Sequence, residues 1–214
     1  MTLADEQYIT ASCVISRQVV YKNGLPVFNS SVKTIPEFLV SVYEYLQLKY
    51  SRFHKMDNLS KLGWLAAEIL LRNSLEHDKY KAEDIGVVLA NSSSSLDTDI
   101  RYFETAKTIA SPALFVYTLP NIMIGEICIR HRFKGENAFF IFEHFPAGFI
   151  QQYVNNLFIN NNLQACVCGW VELLDNQYKA VLLLVERNTT MQTDRFTVEK
   201  FNKIDQSDNG YINF

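Results

Sequence analysis

The sequence has no excess of positive charge: 20 Lys and Arg stand against 23 Asp and Glu, a formal net charge of −3. The basic residues are scattered, so the electrostatic footprint of a nucleic-acid binder is missing. No apolar run approaches the ~18 residues of a membrane span. The N-terminal Met-Thr-Leu-Ala-Asp-Glu lacks the basic-then-apolar order of a signal peptide. These absences predict a cytoplasmic protein. Cysteine is scarce, with Cys13, Cys128, Cys166 and Cys168 all inside apolar stretches and none in a Cys-x-x-Cys pair. That excludes a disulfide framework, and without His or further Cys at ligand spacing no metal site is expected. No linker rich in Pro, Gly or Ser is present, and no internal repeat, so a single domain is expected.

What is present is a large apolar supply, 48% of 214 residues, ample for a core. The segment 8–14 is partly alternating and β-branched, and predicts a first strand. Asn23-Gly24-Leu25-Pro26 predicts a turn, and Pro36 opens a helix running toward residue 50. A second helix is capped by Asp57 or Asn58, with Leu62, Leu65, Ala66, Ile69 and Leu70 at helical spacing as a core-facing stripe. Residues 85–90, apolar throughout, predict a strand covered on both faces.

Asn91 and four serines, Ser92 to Ser95, follow as a polar loop; without the glycines and lysine of a P-loop it predicts no nucleotide site. A helix over 97–108, an irregular crossing over 111–121 with two prolines, and a helix over 122–132 come next. In that last helix Gly125 is the candidate for close packing, and Arg130, His131 and Arg132 complement the dipole of its final turn. His54, His77 and His131 read as surface residues. Two antiparallel strands, 163–174 and 178–187, join at Asp175-Asn176. The remaining tail is polar with no clear period. Strands alternating with helices imply a mainly parallel sheet with helices on both faces.

The stretch 137–149 organises the rest. Ala138 to Phe142 is a short apolar strand, Glu143 and His144 a polar break, and Pro146 suits the first position of a helix. Ala147 and Gly148 are small enough for the helix start to lie close under the strand. A strand turning sharply into a helix is how α/β enzymes present a nucleophile, with the helix N-terminus aimed at developing negative charge. The apex residue is Phe145, and a phenyl ring cannot attack. His144 beside Glu143 remains a candidate base, and Cys128, Cys166 or Cys168 would have to approach it in space to supply a nucleophile. Cys166 and Cys168 have strand spacing, which predicts one shared, buried face.

Several segments together resemble the N-terminal half of β-ketoacyl-acyl-carrier-protein synthases, within the thiolase-like fold. They are Arg52-Phe53-His54-Lys55-Met56-Asp57, Asp84-Ile85-Gly86-Val87-Val88-Leu89 with its serine loop, and Ser111-Pro112 with Tyr117-Thr118-Leu119-Pro120-Asn121. Gly125-Glu126-Ile127, Phe133-Lys134-Gly135-Glu136-Asn137 and Cys168-Gly169-Trp170-Val171-Glu172 follow in order. The resemblance implies a half-domain over residues 1–190, with a mixed, mostly parallel five-stranded sheet, and a polar tail over 191–214. In active members of that family a cysteine lies three residues before the helix glycine, the position of Phe145 ahead of Gly148. The family's catalytic histidines belong to a C-terminal half that has no counterpart in this sequence.

The resemblance therefore implies a chain-length-factor-like subunit without chemistry, whose degenerate turn is His144, Phe145, Pro146 and Gly148, and which needs no cofactor or metal. Its expected partners are an active ketosynthase, an acyl carrier protein, or a second copy joined through the strand Ala138 to Phe142. A homodimer binding an acyl chain, and a cysteine-independent thioester decarboxylase or acyltransferase using His144, are the alternatives.

Overall fold

The computed structural model describes residues 6–76, 78–160, 163–187 and 193–208; His77 and parts of the tail lie outside them. The first half of the chain runs β1 (Tyr8–Ser16), β2 (Val19–Lys22), β3 (Leu25–Asn29), α1 (Ile35–Tyr45), α2 (Asn58–Leu71), β4 (Ile85–Asn91) and α3 (Leu96–Ala106). Then come α4 (Pro112–Val116), α5 (Ile122–His131), β5 (Asn137–Ile141), α6 (Ala147–Asn160), β6 (Ala165–Leu174), β7 (Gln177–Glu186), β8 (Asp194–Arg195) and α7 (Val198–Asp205).

The strands form one sheet in the order β3-β2-β1-β7-β6-β4-β5, with β8 pairing the start of β1. The α/β class, the mixed sheet and the helices on both faces are as expected. The strand count is not, for eight strands replace five. Nor is the sheet mostly parallel: among the described residues β4 runs parallel to β5 and β6, and every other ladder is antiparallel. The cause is local. Asn23 and Gly24 both have positive φ, 52° and 78°, the backbone of a tight two-residue hairpin. The turn was legible, but its strands are four and five residues long and mostly half-exposed or exposed, too short to show a period. The hairpin of β6 and β7 at Asp175 is as expected.

The central strands β4, β6 and β7 are buried along almost their whole length, because helices cover both faces. On one face α1, α2 and α5 pack against Cys13, Ile15, Val87, Leu89, Val167 and Leu182. Asp57 settles the cap of α2: its Oδ1 accepts the N–H of Ser60 at 2.9 Å. Its Oδ2 accepts from Thr98 Oγ1 at 2.6 Å, tying α3 to the start of α2. Close packing of α5 does not come from Gly125, where a Cβ would meet nothing within 4 Å; it comes from Gly63 on α2, where a Cβ would lie 2.0 Å from Met123 Sδ. His131 is not a surface residue. Its side chain is 9% exposed and Nε2 lies 2.9 Å from Glu68 Oε1, which Arg130 also clamps.

On the other face lie α6 and α7, with Cys166 and Cys168 buried together as their strand spacing requires. The described tail is therefore folded: Phe196 and Phe201 enter this second core. Val198, Phe201 and Ile204, at steps of three, are the helical signal that the polar composition concealed. No helix among the described residues is long and apolar enough to cross a membrane.

Candidate functional site

Because β5 and β6 both run parallel to β4, the carboxyl ends of these strands share one end of the sheet, where α/β folds place their ligands. Three features meet at that end: the loop after β4, the turn from β5 into α6, and Glu172 near the end of β6.

The turn starts where Phe142 N–H donates to Asn91 O at 2.9 Å, extending the β4–β5 ladder by one bond. Glu143 and His144 then swing into solvent, their side chains 90% and 82% exposed and 3.9 Å apart. A pair so solvated is worth little. Phe145 turns back in, half-buried. Its ring lies edge-on to Trp170 at 6.0 Å and to Phe201 at 4.9 Å. Pro146 stands one position before α6 rather than first within it, and its carbonyl accepts the N–H of Ile150 at 3.0 Å. Of the two small residues, Ala147 is the buried one. Gly148 is exposed, and a Cβ there would meet nothing within 4 Å, so it has no role in close approach within this chain.

The thiols that would have to stand in for a nucleophile are mostly buried: Cys166 and Cys168 fully and Cys128 partly. Burial pushes Cys128 up to about 11, and it raises Cys166 and Cys168 well above the ordinary thiol range. A thiol held protonated is a poor nucleophile. Among the described residues no group of three or more His, Cys, Asp or Glu is placed to hold a metal ion.

The serine loop encloses a carboxylate of this chain. Glu172, fully buried, accepts from Ser92 N–H at 2.5 Å, Ser92 Oγ at 2.7 Å and Ser93 N–H at 3.2 Å, all through Oε2. Asn91 closes the loop by bonding Ser94 in both directions. The donors of Ser92 and Ser93 that an anion would need are thus already committed to a carboxylate of the chain itself. Sequence reading placed Glu172 in a motif and Ser92 in a loop; that one holds the other needed the fold. The motif's glycine has its own reason. Gly169 has φ +155°, and a Cβ would lie 1.9 Å from Val181 O.

Beside the turn, the outer edge of β5 carries no strand partner among the described residues. An aromatic cluster backs it: Phe140 meets Phe149 at 4.8 Å and Tyr153 at 4.9 Å, and Phe142 meets Phe149 at 4.7 Å. Ile141 is 50% exposed and Phe149 37%.

An eight-stranded mixed sheet with helices on both faces, carrying a strand-turn-helix at the carboxyl end of its parallel strands, is a fold this chain shares with solved ketosynthase structures. Solved structures bear this out. The ishigamide ketosynthase/chain length factor superposes with a TM-score of 0.62 at 16% identity, over 88% of this chain and 64% of that one. The complex of the ketosynthase ApeO with its chain length factor ApeC from Xenorhabdus doucetiae matches with a TM-score of 0.57 at 14% identity, over 93% of this chain and 90% of that one. A type II polyketide synthase ketosynthase in complex with its acyl-carrier protein, AntDE:AntF, matches at 0.58 and 15% identity, over 85% of this chain and 62% of that one. The chain thus spans under two thirds of the first and third of these. No family model matches the sequence, and no curated protein does.

Proposed function

We propose that this chain is a non-catalytic, ketosynthase-like subunit that works beside an active ketosynthase in a type II polyketide or fatty-acid system. The observation that carries this reading is Phe145. At the apex of the strand-turn-helix it presents a ring packed on Trp170 and Phe201, where a nucleophile would otherwise stand. The open edge of β5, backed by Phe140, Phe142 and Phe149, supports a strand-pairing partner there, because an exposed apolar edge left unpaired invites aggregation. Chain length factors and carrier-protein complexes among the structural neighbours support a ketosynthase or an acyl carrier protein as that partner. A second copy of the chain is the alternative occupant of the same edge. The cysteine-independent enzyme is the less favoured reading, since the side chain of His144 stands 82% exposed beside Glu143.

The test is the native mass and partner identity of the tagged protein drawn from its own cells. A full-length ketosynthase arriving in stoichiometric amount supports the reading. A lone monomer that binds neither ketosynthase nor acyl carrier protein sinks it.

A further inference from the structure

We infer that α7 is a built-in plug over the inner side of the turn, so that position 145 is covered there by the segment that carries Phe201. Phe201 is fully buried, and its ring meets that of Phe145 at 4.9 Å with the planes at 87°. Trp170 stands against Phe145 at 6.0 Å, so the side chain at the apex is held between a strand residue and a residue of α7. The helix is fixed at both ends and along its entry. Thr197 caps its start, accepting the N–H of Lys200 at 3.2 Å. At its other end Lys179 of β7 donates to Asp205 O at 2.6 Å and pairs with Asp205 Oδ1 at 3.0 Å, a cation at a helix C-terminus where the dipole favours it. Phe196 packs on Phe201 at 5.8 Å, and its carbonyl accepts from Gln151 of α6 at 3.4 Å. The segment is thus tied to the sheet and to the helix that the turn begins. A thioester carbonyl presented to position 145 from this side would have to displace Phe201.

The inference rests on reading Phe145 as the former nucleophile position, but its test needs no ketosynthase, so it fails independently of the partner proposal. Phe145→Cys and His144→Cys are made separately in the full chain, and the rate of alkylation by iodoacetamide is followed by intact mass against the unsubstituted protein. His144 is 82% exposed and reports an open thiol. We expect the thiol at 145 to react at least about tenfold more slowly, through local opening of the plug. The helix N-terminus would by itself speed a thiol there, so slowness cannot come from the dipole. Adding Phe201→Val to Phe145→Cys should raise the rate several-fold with an unchanged far-ultraviolet circular dichroism spectrum. Equal rates at 144 and 145, or a slow rate in a folded double variant, would overturn the plug. Should the double variant fail to fold, the comparison of 144 with 145 decides alone.

Discussion

The ring of Phe145 lies edge-to-face against that of Phe201, centroids 4.9 Å apart, joining the turn after β5 to a helix 56 positions further along the chain. Such an aromatic pair adds to simple burial, and Phe201 is the fully buried member. Phe201→Ala should therefore destabilise the fold by about 3–5 kcal/mol. Urea unfolding measures it; a loss under about 1 kcal/mol would mean the tail contributes little to the second core.

Glu172 makes a second such link, between β6 and the loop after β4. Glu172→Ala would leave the half-buried Ser92 and Ser93 N–H groups without their acceptor, at a cost of about 1–2 kcal/mol. Hydrogen exchange at those two amides should accelerate by more than exchange in β7. Unchanged protection at Ser92 would mean the carboxylate does not hold the loop.

The acid limb of stability should depend on Glu68. Burial would raise its carboxyl, but hydrogen bonds from His131 and Arg130 outweigh burial and hold it below its ordinary 4.5. A carboxyl depressed in the folded state stabilises above its unfolded value, and that contribution is lost as pH falls through the folded one. Below about pH 4.5 the wild type should lose stability more steeply than Glu68→Gln, while above that pH it should be the more stable of the two. Parallel curves of denaturation midpoint against pH would refute the assignment.

Two glycines on neighbouring helices should respond with opposite signs. Gly63→Ala forces a Cβ into the Met123 thioether and should lower the melting temperature. Gly125→Ala has open space within a helix and should stabilise by about 0.5–1 kcal/mol. If both fall equally, α2 and α5 do not approach as described.

On the edge of β5, Ile141→Lys should leave the unfolding free energy within about 0.5 kcal/mol of wild type, because the residue is half exposed. It should still abolish recovery of a ketosynthase with the tagged chain, since a lysine on an edge strand opposes pairing. Undiminished recovery would move the partner surface away from β5.

The sequence alone determined the elements whose evidence is local. The apolar run at 85–90 made a doubly covered strand, Asp57-Asn58 the start of a helix, Asp175-Asn176 a hairpin, and 137–149 a strand turning into a helix with phenylalanine at its apex. Each depends on residues within a turn or two of one another. Tertiary structure alone decided what meets what. The strand order puts β1 beside β7, the serine loop closes on Glu172 some 80 residues away, and the polar-looking tail brings Phe201 onto Phe145. Local propensity and period carry no information about partners so distant. Which residues share a buried face is set by the sheet's order and by the volume the core must fill, and those belong to the whole chain.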